Sequence, residues 1–537
     1  MEWVMMRNPL FTGDFSASVQ GYKADKSWHA KKGQDMIINI LEYLEQAQEK
    51  YGGKVLYKDE KNEITFQDAL LKARRWGSFL AERTSPRSPV FVITDKTVTT
   101  PVLFFAVLYS GCFYVPIDME LPKYRLKLIL DTVQAGLMVT EDKFLEDAEE
   151  LGFSGKIFST SDLEAAEEDS GKLEAVRRQV MDVDPAYVIF TSGSTGIPKG
   201  VVESHRQLID YIEAFSETFG IGEDEILGNQ SPLDYVAALR DLYLPLKTGA
   251  STVLIPKKYF SMPVRLFQYL NENKVTTICW VTGALSLCSE LGTFEEIRPE
   301  FVKKVFFTGS VMPCRHLRVW QENLPGAVFV NHYGPTEITA SCTWHVVDHL
   351  VSEDETLPIG QPFRNTNILL ITEEGKEAAP GETGEIYVRG TSLALGYYGN
   401  PEKTREVFVR NPLNPIYDET VYRTGDLGKY NEQGELLFCG RKDAQIKHMG
   451  HRVELGEIEA AALSMPEIQE AVCLYQKEKQ QIWLFYTGAG TSPREIAGYL
   501  RERLPNYMIP RKFCAMDQMP LNFNGKINMN ELREKMK

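Results

Sequence analysis

Tyr187-Val-Ile-Phe-Thr-Ser-Gly-Ser-Thr-Gly-Ile-Pro-Lys-Gly-Val201 decides how the rest of the chain is read. Its first residues favour a strand, and they run into a loop of Thr, Ser and Gly that closes on Lys199. That composition suits phosphate. Glycines let backbone N–H groups approach an anion, hydroxyls add donors, and the lysine adds charge. The spacing departs from the Walker pattern, because Gly193 and Gly196 are close together and Pro198 precedes the lysine. An ordinary flexible loop after a strand is the alternative. A buried-type strand ending in Pro-Lys-Gly favours a nucleotide-phosphate site, with Thr191, Ser192, Gly193, Ser194, Thr195, Gly196 and Lys199 as its residues.

Around this unit strands and helices alternate. Residues 89–94, 275–281, 302–307 and 327–331 read as strands, and 263–273 as a helix. Residues 101–117 read as a buried helix, a glycine turn and a strand, being too short and too interrupted to span a membrane. Such alternation predicts an α/β fold with parallel sheets, and it places ligands at the C-terminal ends of strands. The acidic stretch 164–169 reads as a solvated helix face.

At 537 residues the chain needs more than one core. A net charge of −15 argues against nucleic acid as a partner, and local donors and metal must then hold any anionic nucleotide. The eight cysteines are scattered without a CxxC pair, and Cys279, Cys288 and Cys314 read as small buried hydrophobes. Neither zinc nor a disulfide framework is expected, a reducing cytoplasm fits, and no signal pattern opens the chain. From about residue 358 short strands and turns predict a small β subdomain. After Gly440-Arg-Lys-Asp443 a compact α+β stretch follows, so the expected domains are 1–442 and 443–537.

Three further motifs follow strands or turns. In Asn331-His-Tyr-Gly-Pro-Thr-Glu337, Tyr333 could stack on a base, Thr336 could bond a phosphate and Glu337 could hold Mg²⁺. A Gly-Pro turn with Thr336 as N-cap is the other reading. Tyr422-Arg-Thr-Gly-Asp-Leu427 reads as a polar turn. Leu521-Asn-Phe-Asn-Gly-Lys-Ile527 carries a lysine in an Asn-Gly turn.

Together these strings resemble the adenylate-forming superfamily, which includes acyl-CoA synthetases, luciferases and nonribosomal peptide synthetase adenylation domains. The resemblance spans roughly residues 35–535, with Gly111–Asp118, Gly384–Gly390, Leu395–Tyr398 and Leu504–Pro510 in support. It is closest in style to amino-acid adenylation domains and D-alanine–carrier-protein ligases. It implies a large layered N-terminal domain and a small mobile C-terminal domain pivoting at Asp443. It implies ATP and Mg²⁺ as cofactors, with Asn331, Tyr333, Gly334, Asp426 and Arg441 around the nucleotide and Glu337 on the metal. Phe438 falls where many relatives place a ribose-contacting tyrosine. Lys526 takes the catalytic lysine's place, neutralising charge as one anion attacks another. Gly450-His-Arg452 would join the thioester-forming face, and a swivelling domain would serve two half-reactions at one site.

The acyl pocket departs from its relatives. In Ser231-Pro-Leu-Asp-Tyr-Val-Ala-Ala-Leu-Arg-Asp-Leu-Tyr243, the gapless match puts Val236 where α-amino-acid enzymes carry an ammonium-binding aspartate. Asp234 fits that role only with an insertion. The same match lines the pocket with Ala237, Arg240, Cys279, Phe306, Thr308, His332, Ala340 and Ser341. Val236 cannot neutralise an ammonium, so an acid without a free α-amine is expected to be a strong candidate. Arg240 either meets an acidic group of the substrate or pairs with Asp241 or another acid. The resemblance implies adenylation of an amino acid or amino-acid-like acid and transfer to a carrier-protein phosphopantetheine thiol, without nucleic acid or membrane as partner. An acyl-CoA ligase acting on a non-amino, dicarboxylic or aryl acid is the alternative. Both a free-standing enzyme and a synthetase domain remain open.

Overall fold

The computed structural model describes residues 36–193, 196–443, 445–488, 490–521 and 527–536. The elements below all belong to the compact unit Ile38–Lys537. Two large sheets dominate it. One has seven strands, with Phe113–Asp118 and Pro89–Thr94 at its centre and the antiparallel pair Pro185–Thr191 and Lys199–Ser204 beside them. The other has nine, in which Ile226–Asn229, Thr277–Val281, Lys304–Thr308 and Val328–Tyr333 run parallel.

The helix Thr99–Tyr109 shows why the sheets come together. It is apolar on every face, so it needs cover all round, and Thr100 to Tyr109 are all buried. Phe104 stacks on Tyr114 of the seven-stranded sheet at 4.1 Å, while Phe105 packs against Tyr57 of the nine-stranded sheet at 6.3 Å. Burying each such ring contributes about 2–3 kcal/mol. The sequence expectation of helix, turn and strand over 101–117 holds, with Phe113–Asp118 as the strand.

A third, antiparallel sheet holds Thr366–Ile371, Gly384–Gly390, Phe408–Arg410, Thr420–Tyr430 and Leu436–Arg441. Its core residues Ile368, Ile386, Val388 and Tyr422 pack with Tyr333, Ile338 and Cys342 of the large domain. The expected polar turn at 422–427 is instead the middle of the strand Thr420–Tyr430. A register shift at Leu427/Gly428 bends that strand. The acidic stretch is also corrected. The helix Thr160–Glu164 ends there, Glu168 pairs with Arg74, and Asp169 caps the helix Ser170–Arg177.

The C-terminal part begins with the hairpin of Gln445–His448 and His451–Glu454, followed by the helix Leu455–Leu463. A three-stranded sheet of Ile468–Gln476, Gln481–Gly488 and Lys512–Met516 follows. Val453, Ile458, Cys473, Leu484, Ile496 and Leu500 form a hydrophobic cluster here. That separate core makes this a small α+β domain. Among the described residues, no helix is long and apolar enough to cross a membrane.

Candidate active site

The loop after Pro185–Thr191 returns at once into Lys199–Ser204, with Thr191 opposite Lys199 in the register. Gly193 cannot be replaced without movement, because a Cβ there would sit 2.0 Å from the Ile197 carbonyl oxygen. Three groups of this loop are already engaged. Gly193 N–H donates to Glu457 Oε2 at 3.2 Å, and Ser192 Oγ donates to the Arg452 carbonyl at 2.8 Å. Lys199 Nζ lies 3.5 Å from Glu454 Oε1. Burial, and then the charge of Arg452, lower the Lys199 ammonium from its ordinary value. Gly196 shares the loop in a left-handed conformation, and Ser194 and Thr195 lie outside the described residues.

Glu337 sits in the short turn Thr336–Ile338, fully buried, beside the buried Thr336. The N-cap of that turn is Pro335, so Thr336 does not serve as the cap. Arg452 Nη1 donates to Glu337 Oε1 and Oε2 at 2.8 and 2.7 Å, and Tyr397 Oη donates to Oε1 at 2.6 Å. Burial alone would raise this carboxyl. The charges of Arg452 and Lys199 outweigh it and hold the group down at about 2. Glu337 is therefore an anion at neutral pH, with a cation on it.

Tyr333 and Asp426 meet directly, Tyr333 Oη donating to Asp426 Oδ2 at 2.5 Å. Arg441 donates to the other carboxylate oxygen of Asp426 and forks onto Asp443 at 2.6 and 2.7 Å. Phe438 lies 6.4 Å from the Tyr333 ring, and Lys447 Nζ stands 5.4 Å from that ring's centroid. Asn331 Nδ2 donates to the Pro358 carbonyl at 2.8 Å. Gly334 packs against the backbone of Ala340 and Ser341. Lys526 lies outside the described residues.

The hairpin 445–454 is thus seated in the site. Gly450 makes this possible, with φ of +84° and a position where a Cβ would lie 2.9 Å from both Val281 methyls. Tyr235 Oη donates to the Gly450 carbonyl at 3.2 Å, and His451 stacks on Tyr507 at 3.8 Å. Arg125 and Glu457 form a buried ion pair that ties the helix Lys123–Val133 to the C-terminal part. Carboxylates of Glu454 and Glu457 stand where the sequence expects phosphate. The Arg452 guanidinium stands where it expects a metal.

The acyl-pocket residues fall into two groups. Arg240, Cys279, Phe306, His332 and Ser341 come together, all buried, around Tyr211 and Phe215 of the helix His205–Phe219. Val236, Ala237 and Ala340 are buried, while Thr308, at the end of its strand, is half-buried. Asp234 goes elsewhere. It faces Asp118, Lys257 and Glu120, and burial followed by the Asp118 charge pushes its carboxyl up to about 7. Arg240 pairs with Asp241 at 3.2 Å, one of the two partners expected for it.

Sequence reasoning did not single out Tyr211, Tyr397, Arg125, Glu454 or Glu457. Tyr397 lies inside the supporting string Leu395–Tyr398, and both glutamates follow closely after Gly450-His-Arg452. Arg125 has no local signal. Tyr211 has only its spacing from Phe215, which puts both on one helical face.

The comparisons agree with this architecture. The model of the AMP-binding enzyme family matches residues 44–398, and that of the AMP-binding enzyme C-terminal domain matches 457–526. The chain is 31% identical to tyrocidine synthase 1 of Brevibacillus parabrevis over 505 residues, covering 92% of this chain and 45% of that protein. It is 30% identical to the D-alanine–D-alanyl carrier protein ligase of Bacillus licheniformis over 523 residues, covering 93% of this chain and all of that one. The chain therefore spans less than half of the first relative's length and the whole of the second's. Among solved structures, holo-PA1221, a nonribosomal peptide synthetase protein with adenylation and PCP domains, superposes with a TM-score of 0.79. It is 24% identical and covers 93% of this chain and 84% of its own. The amide bond synthetase McbA of Marinactinospora thermotolerans gives 0.80 at 19% identity, covering 92% and 99%. With a family model matching well over half of its length, the chain belongs to the AMP-binding enzyme family.

Proposed function

We propose that this protein activates a carboxylic acid with ATP and passes the acyl group to the phosphopantetheine thiol of a carrier protein. In the first step a carboxylate oxygen attacks the α-phosphorus, the bond to pyrophosphate breaks, and an acyl-adenylate forms. In the second the thiol sulfur attacks the acyl carbon, AMP leaves, and the thiol proton goes to solvent. The observation that carries the reading is the ligand-like occupancy of the site. Two carboxylates sit on Gly193 N–H and Lys199, and a guanidinium sits on Glu337.

Those stand-ins test the fit of the groups they replace. A loop that holds carboxylates this way fits phosphate oxygens. A buried carboxylate kept ionised by a cation fits Mg²⁺, which would supply charge against the phosphates. Glu337 would hold the metal, residues 191–199 the phosphates, Tyr333 the adenine and Asp426 the ribose. Arg452, Glu454 and Glu457 leave those positions when ATP and its metal bind for the first step, and we place the pivot at Asp443, between domains 1–442 and 443–537. The hairpin-in arrangement is the one suited to thiol attack, because the hairpin then lines the acyl side of the site beside Tyr235 and Val281. Lys526 belongs to the first step, bridging the carboxylate and the α-phosphate.

The same fit does not extend to an α-ammonium. Val236 is apolar and buried, and Asp234 points away to Asp118 and Lys257. The substrate is an amino-acid-like acid without a free α-amine. Acid-dependent ATP–pyrophosphate exchange tests this. Exchange with keto, hydroxy, aryl or dicarboxylic acids supports it, and exchange confined to ordinary α-amino acids contradicts it.

A further inference from the structure

The turn that carries Glu337 runs into an uncommon piece of backbone. Thr339 and Ala340 both take left-handed conformations, with φ of +56° and +69°, and neither is glycine. Two such residues in succession persist only where their surroundings hold them. They fold residues 340–341 back over Gly334. Cys342 N–H then donates to the Tyr333 carbonyl at 2.8 Å, and Thr343 pairs with Tyr333 in the register. This reversal fixes which way the Glu337 turn faces.

The grip on the reversal comes from Glu203. It lies in the strand Lys199–Ser204, fully buried, opposite Tyr187. Its Oε2 is 2.9 Å from Thr339 Oγ1, which is 3.0 Å from the Ser392 carbonyl oxygen. The Thr339 hydroxyl has one proton, and both neighbours are acceptors if Glu203 is ionised. Both contacts are hydrogen bonds when Glu203 is a neutral acid. It then donates to Thr339 Oγ1, and Thr339 donates to the Ser392 carbonyl. Burial, joined by the charge of Glu337, pushes the Glu203 carboxyl well above its ordinary value, in line with that count.

The chain Glu203–Thr339–Ser392 belongs to one frame. Ala394 N–H donates to the Glu337 carbonyl at 3.0 Å, and Leu395 N–H donates to the Val202 carbonyl at 2.8 Å. Tyr397, two residues on, donates to Glu337 Oε1. Alternation along a strand puts Lys199 and Glu203 on the same face. A single strand therefore ends in the phosphate-loop lysine and also carries the group that holds the Glu337 turn.

We propose that Glu203 is a positioning residue for adenylation: through Thr339 it holds the left-handed pair 339–340 and so sets Glu337 against the phosphate loop. The inference rests on the adenylation reading, in which Glu337 holds Mg²⁺ and residues 191–199 hold the phosphates. Glu203 acts through Thr339, not on the metal. A side-chain amide can replace it, because what the turn needs is a donor to Thr339 Oγ1.

The test compares Glu203→Gln, Glu203→Leu and Thr339→Val in the intact protein. Mn²⁺ binding in the presence of α,β-methylene-ATP, read by electron paramagnetic resonance, reports the metal site without turnover. ATP–pyrophosphate exchange reports the reaction. Glu203→Leu should weaken Mn²⁺ binding by about tenfold or more and lower kcat of exchange by a similar factor. Glu203→Gln should stay near the parent protein in both. Thr339→Val keeps the shape and loses the hydroxyl, so it should match Glu203→Leu, and the double variant should be no worse than either alone. Should Glu203→Leu not fold, Thr339→Val against Thr339→Ser carries the same comparison. A lower melting temperature for Glu203→Leu with Mn²⁺ affinity and kcat unchanged would overturn the positioning role and leave adenylation standing. So would a Glu203→Gln protein as impaired as Glu203→Leu. No exchange by the parent protein with any acid would overturn the adenylation reading, and with it the role assigned to Glu203.

Discussion

Arg452 is the residue whose removal should separate the two half-reactions. Its guanidinium neutralises a fully buried Glu337, and it reaches that carboxylate only while the hairpin 445–454 is seated. Arg452→Met keeps the stem and removes the charge. Stripping one partner from a buried pair costs about 3–5 kcal/mol. Tyr397 still donates to Glu337, and Lys199 still faces it, so a discounted cost of about 2–3 kcal/mol applies to the seated arrangement. That lowers its population relative to the open one by roughly 30- to 160-fold. The acyl-transfer step should slow by a comparable factor. ATP–pyrophosphate exchange should persist, because Arg452 must already be off Glu337 when metal binds. The assay is single-turnover transfer from preformed acyl-adenylate to pantetheine, run beside exchange on the same preparation. Equal loss in both reactions, or unchanged transfer, would refute the reasoning.

Other outcomes follow from the same geometry. Glu337→Gln removes the anion expected to hold Mg²⁺, and exchange should fall on the order of 10²-fold, with a higher Mg²⁺ requirement as the direct readout. Lys526→Ala should suppress exchange while leaving transfer from preformed acyl-adenylate to pantetheine, which steady-state rates of the two reactions would separate. Asp234 supplies a pH dependence. Its carboxyl is pushed up to about 7, so the protonated form is favoured in the seated arrangement. Rising pH through the carboxylate range toward 7 therefore costs that arrangement stability. The ratio of transfer to exchange should fall as pH rises from the ordinary carboxylate range to about 7 and level off above it, and Asp234→Asn should flatten the profile, with Asp118, Glu120, Lys257, Tyr235 and Tyr507 as the charged and titratable groups around it.

Much of this site was legible because its parts are local. Strand-then-loop chemistry at 187–201 and the strand before Tyr333 are written in consecutive residues, and each landed in one place. The layered α/β core was equally legible, because apolar stretches such as 101–109 admit no other burial. The errors came where tertiary partners decide. Residues 422–427 read as a turn from Thr, Gly and Asp, yet pairing on both sides with Gly384–Gly390 and Leu436–Arg441 draws them into a strand. Glu168 and Asp169 read as a solvated face, yet Arg74 and a helix N-terminus claim them. Arg125, Glu454 and Glu457 were illegible for the same reason. Their meaning lies in contacts hundreds of residues away in sequence. Arg240 was legible as a buried charge with its neighbour Asp241 as a partner, but not in the Ala237 and Cys279 carbonyls that take its Nη2, since only the fold brings those to it.

The central claim is that a substrate carboxylate attacks the α-phosphorus of ATP. The most direct measurement uses an acid that supports turnover, labelled with ¹⁸O in its carboxylate, with the released nucleotide analysed by mass. The account predicts AMP carrying one ¹⁸O atom per turnover, because one carboxylate oxygen stays on phosphorus when the thiol takes the acyl group. Unlabelled AMP, or ADP and inorganic phosphate in its place, would contradict it.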